Sequence, residues 1–377
     1  MAKRKYHILL ISFFLLFIFS GFVLFLAIPK EKIDVDENRA LSPLPALNLA
    51  KLDPYPRAFE NYYNDHFPFR NKLIKGFNKL NFFVLKKSPN TEQAIIGKDG
   101  WLFMNGNEYT SYTGNPALTS TELKSIENEL IARQKFCSDR GIKFYTIIVP
   151  SKYSVYPENL YPNWKNLSEN NHRNQLMNYF KNKKEINIFD ITEKIVSNKD
   201  IGELYYKTDN HWNDLGSFYS VQAVMNILKK DFPQLSIPSI EDYTVRDSAR
   251  NGGNIAQMIS MQNELPDIAK LLKPKKTIHS KEENIDKYAI PKGFAYGWDY
   301  EVRYKNEKAP KVKLLLIRES FGTAQVQFFS ESFGESIYIF DAWKHQLNPD
   351  IIDKEKPDIV IIQIMEGFIS NLVPETE

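Results

Sequence analysis

The chain has 377 residues, of which 43% are apolar and 25% charged. That is the composition of a globular protein and excludes disorder over most of its length. Basic residues number 49 against 46 acidic, a net +3, which is too weak a balance for a nucleic-acid surface, and no basic–aromatic array argues for one. A single cysteine, Cys137, excludes an intramolecular disulfide, a Cys-based zinc site and an iron–sulfur cluster.

Lys3, Arg4 and Lys5 precede an uncharged apolar run from Ile8 to Ile28. At 1.5 Å per residue this run spans roughly 30 Å, the hydrocarbon thickness of a bilayer. The exit Leu26-Ala27-Ile28-Pro29-Lys30 lacks the small-residue cleavage pattern, so an uncleaved anchor is favoured over a cleaved signal. The positive-inside rule then puts the bulk of the chain on the extracytoplasmic side of the cell membrane, periplasmic or extracellular. The expected organisation is an anchor over 1–29, an extended Pro-rich tether over 30–56, and one α/β domain over 57–377 with an irregular insertion at about 235–310.

Within the tethered part, apolar spacing predicts two helices over 56–86, broken at Pro68. Residues 93–104 read as a hairpin turning at Lys98-Asp99-Gly100. Helices are expected over 120–137, capped by Ser120 or Thr121, over 173–180 and over 213–228. Five apolar runs read as strands: 143–149, 186–191, 311–317, 336–340 and 359–365. Their alternation with helical stretches points to a buried, mostly parallel sheet with helices on both faces.

Such sheets carry their sites at the carboxyl ends of strands. The strand 311–317 runs into Arg318-Glu319-Ser320-Phe321-Gly322. Two readings of Ser320 stand open: an N-cap for the following helix, or a nucleophile lifted above the sheet edge, with backbone N–H groups of Ser320 and its neighbours for an oxyanion. Of six histidines, only His211 stands in a polar knot just before a helix, Asp209-Asn210-His211-Trp212. Asp209 can hold an imidazole nitrogen there, or Asp209 or Asn213 can cap the helix and leave His211 as packing. The string ESFG occurs twice, at 319–322 and 331–334. Ser320 follows a strand and Ser332 precedes one, so the two serines belong to opposite edges of the sheet.

Asp209–Trp212 resembles the DHHW-type motif of the alginate O-acetyltransferase-like proteins, with Asn210 in place of the first histidine. Arg318–Gly322 resembles that family's RDSFG, with Glu319 in place of aspartate. Asp36–Leu41, Asp65–Arg70, Gly97–Phe103 and Gly252–Ile259 are also similar to family segments. The resemblance implies an SGNH-hydrolase-like three-layer sandwich with a mostly parallel central sheet, and O-acetyl transfer to an extracytoplasmic polysaccharide. By this reading Ser320 is the nucleophile, His211 the base and Asp209 its orienting group, with no metal or organic cofactor. Trp212, Arg318 and Trp298 are candidate substrate contacts. A membrane-bound O-acyltransferase supplying acetyl groups is the implied partner. An acetylesterase with the same triad and a non-catalytic scaffold of an envelope complex are the alternatives.

Overall fold

The computed structural model describes residues 2–30, 33–34, 39–166, 169–292, 294, 296–341 and 343–373. Asp36–Asn38 of the family-like segment Asp36–Leu41 lie outside them. The chain divides into two units, Met1–Pro89 and Asn90–Glu377.

In the first unit, helix α1 (Ala2–Ala27) contains the apolar run except for Ile28. Its segment Lys5–Ala27 is long and apolar enough to cross a membrane, with mean hydropathy 2.9. Helices α2 (Pro54–Asp65) and α3 (Arg70–Lys79) follow, separated at Pro68 as its missing N–H and fixed φ require. A short π-helical turn, Leu80–Val84, continues α3. Of the other family-like segments here, Asp65 accepts the Ser42 N–H at 2.8 Å and His66 bonds the Ser42 carbonyl at 3.0 Å.

The second unit is built on a seven-stranded sheet. Its strands are β1 (Lys143–Val149), β2 (Ile188–Asp190), β3 (Lys281–Glu282), β4 (Glu301–Lys305), β5 (Lys313–Arg318), β6 (Glu335–Phe340) and β7 (Ile359–Met365). Their order is β2-β1-β7-β5-β6-β4-β3. The five apolar strands are parallel; β4 and β3 add antiparallel at one edge. Alternate residues of β5 feed separate cores. Leu314 and Leu316 pack on the side of the helix Asp214–Leu228, with Phe218, Val221 and Met225. Leu315 and Ile317 pack on the side of the helix Ser120–Ser138, with Ile126 and Leu130. This is the expected three-layer arrangement, and it explains why these strands read as unbroken apolar runs.

The structure differs from expectation in two places. Thr119, not Ser120 or Thr121, caps the helix Ser120–Ser138: its side chain accepts the Glu122 N–H while Glu122 accepts the Thr119 N–H, a capping box. Residues 235–310 are only partly irregular among the described residues. They hold an eight-by-eight antiparallel ribbon, Tyr243–Arg250 with Asp267–Pro274, and the two strands β3 and β4 at one edge of the sheet. The ribbon is half-solvated and its two strands are rich in charge, so alternation is weak in the sequence.

Candidate active site

The turn after β5 sets the first side chain. Glu319 is fully buried and caps the 3₁₀ turn Ser320–Gln325, accepting the Phe321 N–H at 2.7 Å. The capping role therefore falls to Glu319, and the Ser320 hydroxyl is left for other work. A parallel division occurs at the histidine. Asn213 caps the helix Asp214–Leu228 by accepting the Leu215 and Gly216 N–H groups, which leaves Asp209 unused by the helix.

Ser320 Oγ lies 2.8 Å from His211 Nε2, and His211 Nδ1 lies 2.7 Å from Asp209 Oδ1. Asp209 also accepts the backbone N–H of His211 at 3.2 Å and of Asn254 at 3.3 Å, and Arg250 Nη2 stands 3.7 Å from its Oδ2. Gly253 permits this approach. A Cβ there would fall 2.3 Å from Asp209 Cβ and 2.5 Å from its Oδ2, so the segment Gly252–Ile259 needs glycine to reach the carboxylate.

Burial by itself would raise the Asp209 carboxyl. The hydrogen bond and charge of His211, with the backbone N–H groups of His211 and Asn254, outweigh it and hold Asp209 well below the usual carboxylate range. Burial would lower His211, but the Asp209 bond and charge prevail and raise it above an ordinary histidine. The Phe321 ring packs 4.9 Å from the imidazole, centroid to centroid, which fixes the ring's tilt.

Two of the backbone N–H groups expected to face an oxyanion are already engaged. Phe321 N–H goes to Glu319 and Gly322 N–H to the Glu319 carbonyl. Ser320 N–H stands first in its turn and has no helical acceptor.

Of the candidate substrate contacts, Trp298 is 78% exposed and lines the cavity with Tyr296, Trp343 and Arg250. This cavity, about 660 Å³, opens over Ser320 and His211. Trp212 borders it but is buried, and its indole N–H donates to the Phe321 carbonyl at 3.0 Å, bracing the serine turn. Arg318 is corrected. It is completely buried and grips Asp299 through both terminal nitrogens, at 2.6 and 3.2 Å, while also donating to Thr323. It ties the Trp298 turn to the serine turn and has no reach to a ligand.

Sequence reasoning missed a buried polar group beside the histidine. Glu108 accepts from the Asn210 side chain at 2.7 Å, and Asn210 and Asn254 bond each other through both side chain and backbone. Burial pushes Glu108 up to about 7. Lys152 Nζ is buried on the Leu102 and Lys207 carbonyls, and burial pushes it down to about 8. Lys152 sits just past the carboxyl end of β1, a position that could have flagged it; nothing local marks Glu108. The three other histidines of the second unit have other surroundings: His172 bonds the Pro116 carbonyl, His279 faces Glu331, and His345 is buried.

A serine at a strand's carboxyl end, hydrogen-bonded to the histidine of an Asp-x-His pair earlier in the chain, fits an SGNH hydrolase-like domain. The family described as "SGNH hydrolase-like domain, acetyltransferase AlgX" matches residues 94–287, and the chain belongs to that family. Asp209 and His211 fall inside this match and Ser320 beyond it. The "Probable alginate O-acetylase AlgJ" of Pseudomonas aeruginosa is 26% identical over 164 residues, 42% of this chain and 39% of the relative. The chain thus spans about two-fifths of the length of the curated relatives it matches. PatB1 of Bacillus cereus superposes with a TM-score of 0.55 at 20% identity, over 75% of this chain and 98% of PatB1. A DHHW family protein of Eubacterium siraeum gives 0.50 at 16% identity, over 75% of this chain and 96% of that protein. Both likenesses establish the fold.

Proposed function

We propose that this protein is an O-acetyltransferase that modifies an extracytoplasmic polysaccharide through an acetyl-Ser320 intermediate. The observation that carries the reading is the continuous chain Ser320–His211–Asp209, at 2.8 and 2.7 Å, at the floor of an open cavity. Ser320 Oγ attacks the acetyl carbonyl carbon as its proton passes to His211 Nε2. The tetrahedral oxyanion is met by the Ser320 N–H. Collapse expels the donor's leaving group, which takes the proton from His211. A sugar hydroxyl then gives its proton to His211, attacks the acetyl carbon and releases Ser320, which recovers the proton. Asp209 keeps Nδ1 protonated throughout, so that Nε2 faces the serine as acceptor.

Transfer rather than hydrolysis requires a sugar at the acyl-enzyme. The cavity wall supports this, because Trp298, Tyr296 and Trp343 offer aromatic faces to pyranose C–H groups. The names of the AlgJ relatives point to alginate-type acceptors. The domain division belongs to the same proposal: residues 1–29 anchor the protein, 30–56 tether it, and the acetyl donor comes from a membrane-bound O-acyltransferase nearby. Incubation of the purified protein with an activated acetyl ester and a deacetylated uronan tests it. Acetyl recovered on the polymer, above that released to water, is expected. Release to water alone would make the protein an esterase.

A further inference from the structure

The helix α3 and the turn after it expose an apolar stripe while burying polar side chains beside Ile74 and Phe82. Asn78 is buried and Asn71 and Asn81 are half-buried. Leu73, Phe77, Leu80 and Val84 are 56, 61, 49 and 67% exposed. Their spacing of four, three and four residues draws one apolar stripe along the outer face, whereas a helix on a water-soluble surface turns such a stripe inward. Phe69 and Leu85, also more than half exposed, extend it at both ends.

Two further observations say what covers this stripe. From residue 70 to 87 the chain carries Arg70, Lys72, Lys75, Lys79, Lys86 and Lys87 and no acidic residue. The stripe is also adjacent, within its unit, to the outer end of the apolar helix. Phe25, two residues before that helix ends, packs on Tyr62 and Tyr63 of α2 at ring-centroid distances of 5.8 and 4.8 Å. Only residues 66–69 separate α2 from α3. With the basic start of the chain on the cytoplasmic side, α3 begins at the level where α1 leaves the bilayer.

We infer that residues 70–87 form an in-plane membrane anchor on the extracytoplasmic leaflet. The stripe Leu73-Phe77-Leu80-Val84 enters the boundary between headgroups and acyl chains, and the exposed side chains of Lys72, Lys86 and Lys87 meet anionic headgroups. The occupant is an anionic lipid surface. The inference rests on the anchor reading of α1, and it adds a second attachment that limits rotation of the first unit about the single span.

The test uses the full chain reconstituted in vesicles of mixed anionic and zwitterionic lipid. Native Cys137 is buried, so single cysteines can be labelled with an environment-sensitive fluorophore. Phe77→Cys and Leu80→Cys lie on the exposed stripe, and Glu307→Cys is an exposed control in the second unit. Phe14→Cys reports on α1 separately. Probes at 77 and 80 are expected to emit blue-shifted light and to be quenched more by spin-labelled lipid carrying its label near the headgroup than by lipid labelled deep in the chain. The control at 307 stays unquenched. Quenching at 14 with none at 77 and 80 overturns the inference and leaves the span intact. Quenching at 77 and 80 with none at 14 keeps the lipid contact but removes the span that fixes its leaflet, and so overturns the inference of a second, extracytoplasmic attachment. Shielding at 77 and 80 only after membrane proteins are added assigns the face to a protein and overturns the lipid inference.

Discussion

Replacing Asp209 by asparagine keeps the size of the side chain but removes its charge and makes one of its two acceptor ends a donor. In the structure both carboxylate oxygens accept. Oδ1 takes His211 Nδ1 at 2.7 Å and His211 N at 3.2 Å; Oδ2 takes Asn254 N at 3.3 Å and faces Arg250. An amide has one acceptor and one donor end. With its NH₂ toward Asn254 and Arg250, a buried N–H loses its acceptor, at a cost of roughly 1–3 kcal/mol. With its NH₂ toward His211, Nδ1 must become the acceptor and the proton moves to Nε2. That tautomer cannot take the Ser320 proton. The same substitution in a serine protease triad costs on the order of 10⁴ in kcat, which is about 5 kcal/mol of barrier. A loss between about 10² and 10⁴ is therefore expected for Asp209→Asn in the rate of acetyl-enzyme formation. The assay is a burst measurement with an activated acetyl ester, alongside circular dichroism to verify the fold. A folded variant with an unchanged burst rate would show that the tautomer argument is wrong for this site.

His211 must be neutral to act as base and its pKa is raised, so kcat/KM should climb about tenfold per pH unit in acid and level off above the ordinary histidine value. Burial also pushes Glu319 and Glu108 up to about 7. Asp209→Asn should shift the histidine's inflection downward, and a flat profile from pH 5 to 8 would exclude His211 as base. Gly253→Ala forces a methyl into Asp209; turnover should drop at least about tenfold with the substrate KM little changed, because the group acts through Asp209. Arg318→Ala leaves Asp299 buried without its partner, with a stability loss of about 3–5 kcal/mol in denaturant unfolding; a loss under 1 kcal/mol would mean that the pair is dispensable.

The parallel strands were legible because burial on both faces writes them as unbroken apolar runs, and β1 and β7 begin and end where expected. The hairpin turn was legible from chemistry: Asp99 and Gly100 take positive φ values of 53° and 82°, which few residues other than glycine and Asx adopt easily. Asp209 and His211 stood out as a local pair, and the strand flanking Ser320 separated it from Ser332. What stayed hidden depends on contacts between distant parts of the chain. Strand β4 reads as charge because Arg303 and Glu301 bury together with Glu355. Arg318 looked like a ligand contact because Asp299, nineteen residues earlier, is invisible as its partner. Glu108 lies 102 residues from Asn210, so no window of sequence joins them.

Ser320, and not its twin in the second ESFG string, is expected to carry the acetyl group. Ser332 donates its N–H to the Phe329 carbonyl and precedes β6, whose first residue, Glu335, pairs with Lys313 at the start of β5. It therefore lies at the amino edge of the sheet, the length of a strand away from the edge that holds Ser320 and His211, a distance of roughly 17–20 Å. Brief incubation with an activated acetyl ester, acid quench and peptide mass spectrometry should find one added acetyl on the peptide containing Ser320. The adduct should vanish in Ser320→Ala and persist in Ser332→Ala. An acetyl group on Ser332 that survives Ser320→Ala would contradict the account.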